Sequence, residues 1–192
     1  MKNIIALYKK WEGNKYFETI KVVVISLAII IPIRTYLMEP FYVKGSSMEP
    51  NFWDYDYLLI NKLKYRINEP SRQDIVIAKF SPEKPFVIKR IIGMPGDKVE
   101  ITDKKLKIIQ ANGEDFYLDE PYLDPLNVKK EDFSFEIPEG EYLLMGDNRK
   151  VSYDGRQQGS IDKDHIKGKV MLKVLNFSPI ADTFNSIVPF SK

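Results

Sequence analysis

Apolar positions follow two regimes along this chain. Val22 to Ile33 reads VVVISLAIIIPI, an almost unbroken apolar run. As a helix it extends roughly 18 Å, short of a hydrocarbon layer of about 30 Å. Extending the segment from Ile20 to Met38 brings it near a spanning length, with Lys21 and Arg34 reaching toward the two interfaces. Pro32 is tolerated in such a helix and bends it. Ahead of the run, Ile4, Leu7, Tyr8 and Trp11 fall at helical spacing and predict an interfacial helix. Lys2, Lys9, Lys10, Lys15 and Lys21 all precede the apolar core, which predicts a cytoplasmic N-terminus. No small-x-small site follows the core, so a cleaved leader fits poorly; a buried globular helix is the other reading of so short a core. The expected division is a cytoplasmic or interfacial segment over 1–19, a single membrane anchor over 20–38, and an extracytoplasmic domain over 39–192.

Beyond Glu39 the period shortens to two. Tyr57–Lys62, Asp74–Phe80, Val87–Ile92, Leu106–Gln110, Phe133–Ile137, Tyr142–Met145 and Val170–Leu175 are short alternating or β-branched runs. Met94-Pro95-Gly96-Asp97, Asn112-Gly113 and Pro138-Glu139-Gly140 punctuate them. Asn112-Gly113 between LKIIQ and EDFYL predicts a hairpin. The fold class expected is mainly β: an antiparallel β-sheet domain preceded by a transmembrane helix. Residues from about 101 to 139 are richer in charge and loops and read as a smaller, hairpin-containing excursion.

Composition narrows the chemistry. With 44% hydrophobic and 29% charged residues this is an ordinary folding sequence. A net charge of +2 gives no reason to expect nucleic acid. The absence of cysteine removes disulfides and thiolate metal sites. One histidine, His165, leaves a Ser-His-Asp triad improbable, and no His/carboxylate cluster has metal-ligand spacing. No cofactor or metal is expected.

Three segments carry candidate chemistry. Gly45-Ser46-Ser47-Met48-Glu49-Pro50 follows the apolar run; a serine held there can present its hydroxyl with backbone N–H groups beside it, although Gly-Ser-Ser alone also reads as a linker. In Val87-Ile88-Lys89-Arg90-Ile91-Ile92, Lys89 shares a strand face with Val87 and Ile91. A lysine so flanked is a candidate for desolvation, which favours its neutral, proton-accepting form; the alternative is an amine that snorkels to solvent. Gly146-Asp147-Asn148-Arg149 with Ser152, Asp154 and Arg156 is dense in turn formers and paired charges, and by itself reads as a surface loop.

Taken in order, these segments resemble the bacterial type I signal peptidases. The likeness runs through Arg34, Glu39-Pro40-Phe41, Gly45–Pro50, Gln73-Asp74-Ile75-Val76, Ile88–Asp97, Asp119-Glu120-Pro121-Tyr122-Leu123 and Gly146–Arg156, about Ile20 to Gly168 in all. It implies a membrane-bound serine endopeptidase that removes signal peptides from secreted preproteins, cutting after a small residue. It implies Ser47 as nucleophile and Lys89 as general base, with Ser152 orienting the lysine and Asp154 and Arg156 supporting that loop. Phe41, Val43, Met48, Phe52, Val87 and Ile88 would line the substrate pockets. The Ser47 N–H would form part of the oxyanion hole; Gly45 stands where some relatives carry a second hydroxyl donor. Gly155 replaces a common serine and Gln73 a common glycine. The implied setting is the bacterial cytoplasmic membrane, with preprotein signal peptides and the bilayer as partners and the chain monomeric.

Other classes compete. Self-cleaving repressors share Gly-x-Ser-Met but lack an anchor and the Gly-Asp-Asn-Arg box. A membrane-anchored β module that binds peptides without cutting them would hold Ser47 and Lys89 apart.

Overall fold

The computed structural model describes residues 15–32 and 37–176. Among the described residues eleven strands fall in two sheets. The larger has seven, in the order β1 (Met38–Tyr42), β2 (Asp56–Asn61), β11 (Ile166–Asn176), β3 (Ile75–Ala78), β4 (Val87–Gly93), β9 (Glu141–Met145) and β10 (Ile161–Asp162). The smaller has four, in the order β7 (Asp115–Tyr117), β6 (Lys105–Ile109), β5 (Lys98–Thr102) and β8 (Phe133–Glu136). β11 pairs with β2 and β3, β3 with β4, and β4 with β9, each antiparallel. The mainly antiparallel β expectation matches this architecture.

Alternation explains the layering. In β3, Val76 and Ala78 pack into one apolar cluster while Ile77 between them packs into another. In β9, Tyr142 and Leu144 join the second cluster and Leu143 and Met145 a third. Successive side chains of a strand point to opposite faces, so both faces of these central strands are covered. The third cluster joins the sheets: Ile92, Leu143 and Met145 meet Val99, Ile101, Leu106 and Ile108. β4 is therefore buried along nearly its whole length, which is what places Lys89 and Arg90 away from water.

The Asn112-Gly113 hairpin forms between β6 and β7, with Gly113 N–H donating to the Gln110 carbonyl and Glu114 N–H to Asn112 Oδ1. The turn between β5 and β6 is built from Asp103 and Lys104, both at positive φ, at 49° and 67°.

The N-terminal unit holds one described helix, α1 (Lys15–Pro32). Lys15, Glu18 and Lys21 occupy its first turns, with Lys21 paired to Glu18 at 2.6 Å. Val22 onward leaves only a short apolar stretch before Pro32. No described helix is long and apolar enough to cross a membrane. Residues 33–36 of the span expected over 20–38 lie outside the described residues; the described helix runs to Pro32, and Met38 opens β1. The interfacial stretch Ile4–Trp11 and Arg34 lie outside the described residues.

Candidate active site

Ser47 sits in a turn between β1 and β2 that is pinned from several directions. Gly45 takes φ +94°, a left-handed conformation a side chain would strain, and its N–H donates to Asp54 Oδ1 at 2.8 Å. The Phe52 N–H donates to the Met48 carbonyl at 3.0 Å. Asn148 holds the turn from the far side of the sequence. Its backbone N–H donates to the Ser47 carbonyl at 3.0 Å and its Nδ2 to the Ser46 carbonyl at 3.2 Å. The Ser47 N–H itself takes no acceptor among the described residues.

Lys89 comes from β4, one strand from the centre of the large sheet. Its Nζ lies 2.5 Å from Ser47 Oγ and also donates to the Ile88 carbonyl at 3.0 Å. The residue is only 3% exposed. Burial pushes its pKa down to about 8; Asp154 and Asp147 pull it back up and Arg156 presses it lower. An amine with that pKa is partly neutral in mildly alkaline solution, and a hydroxyl at 2.5 Å can pass it a proton.

The Gly146–Arg156 loop closes round this pair. A Cβ at Gly146 would lie 2.5 Å from the Ser47 carbonyl oxygen and 2.6 Å from Ser152 Cβ, and would collide with Ser152 Oγ. Only glycine lets the loop approach so closely. Asp147 is gripped by Arg90 through Nε at 2.9 Å and Nη2 at 2.7 Å, both residues buried. Asn51 Nδ2 adds a 2.8 Å bond to Asp147 Oδ2 and another to the Tyr122 carbonyl, and the Tyr122 ring centre lies 3.7 Å from the Arg90 guanidinium carbon. Arg149 pairs with Glu120 and donates to the Gly146 carbonyl at 3.0 Å.

Asp154 caps the short helix α2 (Gly155–Gln158), in a box completed by the Gln157 side chain. It accepts from the Gly146 N–H at 2.9 Å and from Arg156 Nε at 2.9 Å. Burial pushes its carboxyl up, but Arg156 outweighs that and holds it below the usual range. The pairing read from sequence is thus present. Ser152 is buried beside Gly146 with its hydroxyl toward Asp154, whose carboxyl it helps hold down, and it makes no hydrogen bond to Lys89 among the described residues.

Of the pocket candidates, Val43, Met48, Phe52 and Ile88 belong to the apolar cluster under the Ser47 turn, with Phe41 packed against it and Val87 half-buried at the start of β4. His165 stands apart, in the 3₁₀ turn Lys163–His165, its Nδ1 3.7 Å from Asp162. Gln73, where relatives often have glycine, adopts φ 67° and still builds its turn. Asn51, Gly146 and Asn148 carried no assigned role in the sequence reading; only the Gly-Asp-Asn-Arg motif pointed near the last two. No group of three or more metal-binding side chains occurs among the described residues.

A hydroxyl in contact with a buried amine, beside a free backbone N–H, defines a serine hydrolase arrangement. Comparisons give it a family. Residues 16–175 match the family model described as signal peptidase, peptidase S26. Signal peptidase I of Bacillus licheniformis is 36% identical over 180 residues, spanning 88% of this chain and 94% of that protein. Signal peptidase I T of Bacillus subtilis (strain 168) is 36% identical over 184 residues, covering 91% and 93%. Signal peptidase IB of Staphylococcus aureus is 33% identical over 189 residues, covering 90% and 96%. A solved signal peptidase I from Enterococcus faecalis V583 is 32% identical, covering 54% of this chain and 98% of that one, with a TM-score of 0.47. The chain belongs to the signal peptidase family, peptidase S26, and is a serine endopeptidase.

Proposed function

We propose that this chain removes signal peptides from preproteins with a Ser47–Lys89 dyad, cutting after a small residue. The observation that carries the reading is the 2.5 Å approach of Lys89 Nζ to Ser47 Oγ, on a lysine only 3% exposed. Neutral Lys89 takes the Ser47 proton as Oγ bonds to the scissile carbonyl carbon. The oxyanion that forms faces the Ser47 N–H. Collapse breaks the C–N bond, and the Lys89 ammonium returns its proton to the departing amine of the mature chain. Water then loses a proton to Lys89 and attacks the ester. This frees the signal peptide with a carboxylate end and restores Ser47. Ser152, which makes no bond to Lys89 at rest, turns its hydroxyl to the lysine during the reaction; Asp154 and Arg156 hold the loop that carries Ser152.

Preference for small side chains is supported by the closed apolar wall of Val43, Met48 and Ile88 beside the dyad. Membrane attachment is supported by α1, whose side chains from Val22 to Ile31 are exposed and, apart from Ser26, apolar, and by the lysines that precede them in sequence. The reading places the N-terminus in the cytoplasm and the monomeric catalytic domain outside. The test is cleavage of a preprotein by purified wild type, Ser47→Ala and Lys89→Ala: both variants are expected to leave it uncut, and activity retained in Ser47→Ala would overturn the assignment.

A further inference from the structure

The connection between β7 and β8 grips the Gly146–Arg156 loop at three points. Glu120 pairs with Arg149, the Asn127 carbonyl accepts from the Lys150 N–H at 3.1 Å, and Glu131 pairs with Arg156. The third grip bears on the dyad. Arg156 Nε and Nη2 donate to the two carboxyl oxygens of Asp154 at 2.9 and 3.0 Å, and Nη2 also reaches the Ser152 carbonyl at 3.3 Å. Nη1 goes to Glu131, its one acceptor among the described residues. The Arg156 side chain is buried and that of Glu131 only 19% exposed, so this is no surface pair of small worth. Burial works against the Arg156 charge, but Asp154 and Glu131 together overcome it and hold the guanidinium pKa above its ordinary value. Asp154 has other duties: it caps α2 and accepts from the Gly146 N–H.

We propose that Glu131 is a positioning residue for the base, acting through Arg156 on Ser152 and Asp154. The inference rests on the proposed Ser47–Lys89 dyad. The path is continuous. Glu131 holds Arg156, Arg156 holds the Ser152 carbonyl and the Asp154 carboxylate, Asp154 holds the Gly146 N–H, and Gly146 packs against the Ser47 carbonyl. Charge follows the same path. Lys89 faces the Ser47 hydroxyl from the nucleophile turn and Asp147, Asp154 and Arg156 from the loop, while Arg90 beside it on β4 is paired to Asp147. Burial lowers the Lys89 pKa most, the two carboxylates raise it, and Arg156 lowers it further. Glu131 offsets part of the Arg156 charge and so weakens that last influence. The ion-pair partners of Glu131 are Arg156 and, at 3.9 Å, Lys129, not residues of the apolar wall beside Ser47. Its effect therefore falls on turnover rather than on substrate binding.

The experiment measures kcat and KM against pH for the full chain as wild type, Glu131→Gln and Glu131→Ala, in nonionic detergent, on one peptide that spans a signal-peptide cleavage site. Glutamine keeps an oxygen for Arg156 Nη1 but removes the charge. Arg156 then acts on Lys89 less opposed, the ammonium gives up its proton more readily, and the midpoint of the basic rise moves to lower pH. Alanine removes the hold as well, so plateau kcat is expected to fall by about tenfold with KM within about twofold of wild type. A Glu131→Gln midpoint that stays in place, or that moves to higher pH as a loosened loop admitting water to Lys89 would cause, overturns the proposal. So does a wild-type plateau kcat in Glu131→Ala, or a change confined to KM. Should Glu131→Ala fail to fold, the Glu131→Gln midpoint decides alone. Failure of the dyad reading looks different: wild type itself would lack a rise governed by Lys89, and this inference would fall with it.

Discussion

Lys89 and Arg90 are neighbours on β4, yet they serve different partners: the first turns its amine to Ser47 at 2.5 Å, and the second grips Asp147 with two N–H groups at 2.9 and 2.7 Å. One strand therefore fixes both the reactive pair and the loop that packs over it. On the proposed dyad neutral Lys89 is the active form, so the cleavage rate is expected to rise as pH increases through about 8, the value to which burial lowers this lysine. A pH–rate profile on one peptide reads this directly. A rise centred near 6.5 that disappears in His165→Ala would assign the base to the histidine instead.

The same lysine costs stability. The unfolded chain keeps the Lys89 proton up to about its ordinary value of 10.5, whereas the folded chain releases it near 8. Below pH 8 both states are protonated and the folded state bears the full penalty, on the order of 3 kcal/mol. Between 8 and 10.5 only the unfolded state holds the proton, and the penalty fades. Lys89→Met is thus expected to be inactive but more stable than wild type at pH 7, with the gap closing toward pH 10.5. Denaturant titrations at several pH values measure it, and a gap that widens with pH would contradict the sign.

Gly146→Ala tests the closeness of the loop. The new methyl group meets the Ser47 carbonyl and Ser152, so the loop must withdraw from the nucleophile turn. Stability should fall by about 1–3 kcal/mol, and turnover should fall more steeply than stability explains. Thermal melts paired with single-turnover cleavage separate the two effects.

Ser152 offers a finer distinction. Its hydroxyl is buried toward Asp154, so Ser152→Ala removes a weak contact to that carboxylate and should lower stability by no more than about 1 kcal/mol. If the hydroxyl swings to Lys89 during the reaction, kcat falls by about tenfold while KM changes little. Equal kcat in the variant would deny Ser152 any part in positioning the base.

Asp147→Asn strands the Arg90 charge beneath the Tyr122 ring. A loss of about 3–5 kcal/mol is expected, far above the cost of a surface pair. Arg90→Met combined with Asp147→Leu should recover much of it, as urea midpoints would reveal.

Much of this was legible before any coordinates, and the parts that were not have physical reasons. The runs at 57–62, 74–80, 87–92 and 142–145 correspond to β2, β3, β4 and β9 because they are short, mostly apolar stretches, β-branched in 74–80 and 87–92, bounded by turn signals. β1 was not read as a strand, since Met38-Glu39-Pro40 carries no alternation, and its first residue, Met38, closed the expected anchor. The Asp103-Lys104 turn lacks the glycine that usually marks such a backbone. The order of the motifs pointed to Ser47 and Lys89, but no spacing rule could show that Asn51 reaches Asp147 across 96 positions.

Asn148 holds the Ser47 turn from 101 residues downstream, and that separation has a temporal meaning. A ribosome adds roughly 5–20 residues per second, so Ser47 is made on the order of 5–20 seconds before the residue that fixes it in place. Through that interval the serine is an ordinary hydroxyl on an unfinished chain, without its lysine clamped or its carbonyl held. A chain broken off before residue 146 would carry both Ser47 and Lys89 and still be harmless to its neighbours.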